Sequence, residues 1–246
     1  MANFLTNYNL PDQNIWKEVF TNQWETTNIL IEDCWSFTIQ VRTYDINFVS
    51  ITLYSFGAGP ISNDRLYTLG IGPANLVAFG VNLTNVSYYE VSIVTACGDT
   101  STIKRKMITN CSVYPNVRVM FLNRLGGFDY YNFNYDSKYS VNVQRQEFNR
   151  TLPWNYNVGD RGRSVLTIDA DEQYIANTDW VTEYDYNFLQ ELVTSPNVYI
   201  IDESTMVKLP IIILDATWDQ KTQLREKIFN MTLTYKMAYN LQLQSY

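Results

Sequence analysis

The chain has 246 residues, of which 46% are hydrophobic, 17% charged and 15% aromatic: too apolar for disorder, and long enough for one large β domain or two small ones. It contains no histidine, which excludes Ser/His/Asp and Cys/His triads, HExxH zinc sites and imidazole general bases. Its formal charge of −7 argues against a protein that grips nucleic acid with its whole surface, and no apolar run is long enough for a membrane helix, so a soluble protein is expected.

Residues 1–33 are polar and aromatic with little periodicity and read as an N-terminal arm that orders on assembly. They show no basic segment followed by an apolar one, so no secretory signal is expected. A β domain over 34–115 and a β-rich domain over 116–246 follow, with the boundary near Pro115. Trp35, Phe37, Ile39 and Val41 alternate with polar residues, as a half-buried strand does. The Gly- and Pro-rich stretch Ser55–Asn75 reads as one long loop. Tyr89, Val91 and Ile93 form a strand that reverses at Cys97-Gly98-Asp99 into a second, Thr102 to Ile108. Cys34, Cys97 and Cys111 cannot all pair within one chain, and reduced, buried thiols are the expected state.

Val117, Val119 and Phe121 lead into Asn123-Arg124-Leu125-Gly126-Gly127, and Tyr131, Phe133 and Tyr135 lead out on one face, which makes a hairpin whose turn rests on Asn123, Arg124, Gly126 and Gly127. Tyr139 to Val143 and Val165 to Ile168 are further strands. Thr182 with Asp185 approximates a capping box, and Tyr184, Phe188, Leu189 and Leu192 share one helical face, so a short helix is expected over 182–194, ended by Ser195-Pro196. Val198 to Ile201 and Val207 to Leu214 pair next, with Pro210 placing the second at an edge or a bulge.

From Phe229 to Leu243 every odd position is apolar and nearly every even one polar. Continuous, that is a very long C-terminal strand of about 50 Å at roughly 3.3 Å per residue. Its far end, Met237, Tyr239, Leu241 and Leu243, then reads as a subunit interface; a strand that bends near Ala238 is the alternative. The fold class is thus mainly β, antiparallel sandwich-like sheets with one short helix.

Charge is segregated: net −6 over residues 1–100, +6 over 101–163 and −7 over 164–246. The basic block suits a phosphate-binding patch, a complementary contact with an acidic surface of another subunit, or an ordinary solvated surface. Gly57-Ala58-Gly59 and Gly70-Ile71-Gly72 are incomplete dinucleotide fingerprints, and Asp169 to Glu172 lacks the glycine and final glutamate of a calcium loop. Paired carboxylates for glycoside hydrolysis would come from Asp169, Asp171, Asp179, Glu183 or Asp185, but such close acidic pairs arise by chance in an acidic chain. Neither a catalytic residue nor a cofactor nor a metal is expected. A carbohydrate-binding module is the more serious rival and would expose Trp24, Trp35, Trp154 or Trp180.

The order Cys111, Val113, Val117, then Phe121 to Tyr130, then Asp179-Trp180, Leu192-x-x-Ser195-Pro196-x-Val198-Tyr199, Pro210 to Asp215 and Lys221-Thr222 resembles virion structural proteins of tailed phages of Bacteroidetes hosts, including the crAss-like group. The resemblance covers about residues 111–240. It implies a non-enzymatic tail or neck component in the virion, synthesised and assembled in the bacterial cytoplasm. It further implies a ring of about twelve copies that meets portal, ring or tail proteins and passes DNA as non-specific cargo, with no membrane partner. On that expectation acidic stretches line the channel, and arginines such as Arg118, Arg145, Arg150 and Arg161 do not.

Overall fold

The computed structural model describes residues 16–31, 36–58, 65–108, 114–124, 126–152, 154–157, 159, 162–203, 205–216 and 230–239. The first half runs β1 (Trp16–Phe20), β2 (Thr26–Ile31), β3 (Phe37–Tyr44), β4 (Ser50–Ala58), β5 (Arg65–Gly70), α1 (Pro73–Ala78), β6 (Tyr88–Thr95) and β7 (Thr100–Ile108). The second runs β8 (Val117–Leu122), β9 (Phe128–Phe133), β10 (Ser137–Asn149), β11 (Arg163–Asn177), α2 (Glu183–Thr194), β12 (Val198–Asp202), β13 (Val207–Ala216) and β14 (Thr232–Met237). The protein is mainly β and sandwich-like.

One sheet has the order β1-β7-β6-β3-β4, with β1 parallel to β7 and the other pairs antiparallel. The alternation in β6 buries Tyr89, Val91, Ile93 and Thr95, and that in β3 buries Phe37, Val41 and Thr43. Leu76 of α1 packs with Val41, Val91 and Ile103 over one part of the sheet. Ile29 of the two-stranded β2-β5 sheet meets Phe37 and Ile93 over another, with Tyr67 and Leu69 beside them. Full burial of each such aliphatic side chain stabilises by about 1.5–3 kcal/mol. At Cys97-Gly98-Asp99 the turn between β6 and β7 places Gly98 at φ +95, as a tight reversal requires.

The second sheet, β10-β11-β14-β13-β12-β8-β9, is antiparallel throughout. Helix α2 covers one face, setting Phe188, Leu189 and Leu192 against Phe121, Phe133, Leu233 and Tyr235. The capping box is complete: the Asp185 amide donates to Thr182 Oγ1 and the Thr182 amide to the Asp185 carboxylate, at 3.3 and 3.2 Å. Ser195 is the C-cap. The sheets change over between Ile108 and Val117.

Several expectations are corrected. Ser55–Asn75 is not one long loop: β4 continues to Ala58, β5 pairs with β2 from Arg65 to Gly70, and α1 starts at Pro73. Composition hid this: Gly57 lies within β4 opposite Thr38, and Gly70 and Gly72 lie where β5 gives way to α1. A Cβ on Gly72 would run into the Glu25 amide nitrogen and stand 2.7 Å from the Gln23 carbonyl, so this residue is set by close backbone approach. Within the segment read as an arm, residues 16–20 and 26–31 are strands, while residues 1–15 lie outside the described ones.

Pro210 sits in the interior strand β13, opposite Tyr199 of β12. Its carbonyl accepts from the Ala238 amide, so the side on which it lacks a donor faces the point where β14 has ended. Among the described residues 230–239, the long alternation from Phe229 yields a regular strand over Thr232–Met237, followed by a bend at Ala238 and Tyr239, as the alternative of a strand bending near Ala238 has it. Phe229, Leu241 and Leu243 lie outside the described residues. Among the described residues the longest strands are β10 and β11, with 13 and 15 residues.

Cys97 is disulfide-bonded, against the expectation of reduced thiols; Cys34 and Cys111 lie outside the described residues. With three cysteines in the chain, alkylation of the unreduced, denatured protein is expected to add one label, and three after reduction. Three labels without reduction in protein purified under air would refute the bond.

Candidate functional site

Two features stand out: a polar junction between the sheets, and a strand pair that leaves the second sheet. At the junction the edge strand β9 abuts β1 and β2. Asn132 donates to the Glu18 carbonyl at 2.8 Å and to Gln23 Oε1 at 2.9 Å, and Asn134 donates to the Glu18 carboxylate at 2.9 Å. Tyr130 and Thr26 share a hydroxyl hydrogen bond of 3.0 Å, and Gln23 also donates to Glu203.

Beneath them lies a buried ion pair. Period two puts Ser101, Ile103 and Arg105 of β7 on the inward face, so Arg105 occupies a core position, 1% exposed. It donates from Nε and Nη2 to the two Glu25 oxygens at 2.9 and 2.7 Å. Burial, the largest single influence, pushes the Glu25 carboxyl up. The Arg105 charge and hydrogen bonds, helped by Lys17 and Arg118, outweigh it and hold the carboxyl below its ordinary value. Arg118 is also buried; it donates to the Trp24 carbonyl at 2.7 Å and lies 5.0 Å from the Tyr130 ring centroid. A cavity of about 150 Å³ opens here, walled by Trp16, Tyr131 and Trp180 and edged by Glu18, Asp179 and Asp185.

The charge blocks therefore meet partly within one chain. From the basic block, Arg105 pairs with Glu25, Lys106 with Glu18, Arg118 with Glu203 and Arg124 with Glu191. Lys138, Arg145, Arg150 and Arg163 are exposed on or beside β10 and β11 and form no ion pair among the described residues. Arg118, one of the arginines expected not to line the channel, is buried, and Arg161 lies outside the described residues.

β14 pairs with β11 only from Tyr174 to Asn177. Among the described residues the ribbon continues beyond Tyr174 as two strands alone, with Ser140–Asn149 opposite Arg163–Gln173. At roughly 3.4 Å per residue the free part is about 30–35 Å long. Register places Tyr139, Val141, Val143 and Arg145 on one face with Tyr174, Glu172, Ala170 and Ile168 opposite them. The other face carries Asn142, Gln144, Asp169 and Asp171.

The mostly apolar face extends the core face of the sheet: Tyr139 packs on Tyr174 at 4.9 Å, and Tyr174 stacks on the buried Tyr235 at 5.4 Å. Burial and the hydrogen bond to Glu172 push Tyr174 up to about 12, and burial pushes Tyr235 up to about 12, so both phenols stay neutral at physiological pH. Farther out Val141, Val143 and Ile168 are exposed. An isolated two-stranded ribbon is marginal in water, and this one carries an apolar face that nothing in its own chain covers among the described residues.

The other sequence-derived residues fall as follows. Asn123 is buried; its Oδ1 accepts from the Gly127 amide at 2.8 Å and its Nδ2 donates to Asp129 at 3.1 Å. Gly126 has φ +81, and Arg124 is exposed beside Glu191 at 3.2 Å. This turn is structural and touches neither the cavity lining nor the ribbon. Met237 is half-buried against the core, and Tyr239 is exposed. Of the candidate carboxylates, Asp179 and Asp185 line the cavity, while Asp169 and Asp171 lie on the polar face of the ribbon. Sequence reasoning missed the ribbon because its stagger hides the pairing of β10 with β11. It missed Arg105 although the phase of β7 already points that side chain inward. Comparison of the chain with protein-family models, curated proteins and solved structures returns no match.

Proposed function

We propose that this chain is a non-enzymatic structural subunit of a tailed-phage virion, assembling with copies of itself into a ring in the tail or neck that surrounds the DNA channel. The observation that carries the self-assembly is the free β10–β11 ribbon, whose exposed Val141, Val143 and Ile168 extend a core face beyond its own helix cover. A face of that kind is usually completed by another chain. The phage setting rests on the resemblance over residues 111–240 and on its order of motifs. The full chain at micromolar concentration is expected to form a closed multimer of one copy number by mass photometry, with rings visible by electron microscopy. A monomer at every concentration reached would overturn the proposal.

A second reading, a carbohydrate-binding module of a phage tail, draws on the exposure of Trp24, Trp154 and Trp180, which that reading requires. It predicts saturable quenching of tryptophan fluorescence by a surface polysaccharide and no dependence of assembly on the ribbon.

A further inference from the structure

We propose that the β10–β11 ribbon of one copy lies head-to-tail on the body of the next, its basic tip seated at the Trp180-walled cavity; this rests on the self-assembly proposed above. The ribbon must be covered along one face and is basic at its end. Among its described residues the outer part carries Arg145, Arg150 and Arg163 against Glu147 alone, and none of the three arginines has an ion pair among the described residues. Trp154, at 99% exposure, and Tyr156 stand at the same end.

The acceptor is complementary in charge and shape. The cavity is walled by aromatic rings, including Trp180 at 70% exposure, and Asp179 and Glu183 beside it are exposed and form no ion pair among the described residues. Two cations also line the cavity, but both are engaged: Arg118 with the Trp24 carbonyl and Glu203, and Lys17 over the Phe188 ring at 3.8 Å. Aromatic walls with carboxylates at the rim suit a guanidinium, which stacks and pairs at once. A second copy of this chain supplies three such groups on a ribbon about 30–35 Å long. One surface meeting a different surface is a heterologous contact, and it closes into a ring when the rotation per step allows.

The test is a charge swap in the full chain. One variant carries Arg145→Glu, Arg150→Glu and Arg163→Glu; the other carries Asp179→Lys and Glu183→Lys. All five positions are exposed, and circular dichroism and melting check that both variants fold. Each variant alone is expected to need about tenfold or more higher concentration to assemble than the unaltered chain, and an equimolar mixture to recover assembly, because each ribbon then meets an opposite charge. A photo-crosslinker in place of Tyr156 in the otherwise unaltered chain is expected to join residues 179–183 of another copy.

If either variant alone assembles like the unaltered chain, or the mixture of folded variants fails to recover, or the crosslinks land elsewhere, this contact is overturned while the ring proposal stands. If the unaltered chain never assembles, both fall.

Discussion

Replacing Arg105 with methionine is expected to lower the unfolding free energy by about 3–5 kcal/mol at neutral pH, with a deficit that shrinks on acidification. Arg105 and Glu25 are 1% and 3% exposed in their side chains, and the pair is bidentate. Methionine fills a similar volume, so packing contributes little to the loss. What remains is a Glu25 carboxylate stripped of its nearest charge and of both hydrogen bonds. Lys17 and Arg118 still act on it, which favours the lower end of the range.

The pH dependence has a definite sign. In the unaltered chain the Glu25 carboxyl sits below its ordinary value of 4.5, so its stabilisation is complete above that pH and is lost as pH falls through the lowered value. In the variant burial dominates and raises the carboxyl, so the variant gains relative stability as protons neutralise it. Both trends narrow the gap in acid. Urea unfolding of the two proteins across the acid range reads it directly. A neutral-pH loss below about 1 kcal/mol, or a gap that widens in acid, would show that the pair does not hold this junction. Glu25→Leu combined with Arg105→Met is expected to recover most of the loss, since replacing both partners removes the stranded charge.

The legible part of the fold was the part set by short-range pattern. Alternation in Tyr89 to Ile93 and Val117 to Phe121, the Asn123 to Gly127 reversal and the Thr182 capping box all express chemistry within a few residues, and the structure has a strand, a turn or a helix at each. Pairing between distant segments was not legible. β1 lies parallel to β7, some ninety residues later, and β2 pairs with β5 across the Gly/Pro-rich joints that concealed β5.

In the terminal alternation the described residues follow the bent alternative, with regular strand ending at Met237 before a bend at Ala238 and Tyr239, because period two reports facing but not where a partner strand stops. Among the described residues β13 supplies partners for β14 from Leu233 to Met237. The pairing was missed at β10 and β11, where both partners are long but the bulge between Gln146 and Glu147 shifts the register, and polar residues dominate one face. For the candidate site, the charge blocks were visible, but which members of the basic block turn inward was decided by strand phase: Arg105 faces the core while its neighbours Lys104 and Lys106 face out.

Phe188→Ala is expected to cost about 3–5 kcal/mol, the range for deleting a buried ring from a core that cannot collapse. Phe188 is 2% exposed on α2 and packs against Phe121 at 5.5 Å and Tyr131 at 6.4 Å between ring centroids. Its ring also carries the Lys17 ammonium of β1 at 3.8 Å, so a residue of the second sheet's helix covers a buried cation of the first sheet. Packing and the cation contact separate in a double-mutant cycle of Phe188→Leu with Lys17→Met. Leucine keeps apolar bulk but has no ring quadrupole, and methionine keeps the Lys17 stem without its charge. A coupling energy of about 2 kcal/mol is expected, the size of a desolvated cation–π contact. A coupling below about 0.5 kcal/mol would mean the ring acts by packing alone. Because Phe188 touches both halves, the alanine variant is also expected to shift a single unfolding transition rather than split it. A split, with the five-stranded sheet melting at its unaltered midpoint, would mean the halves fold independently and that the polar junction, not α2, is what joins them.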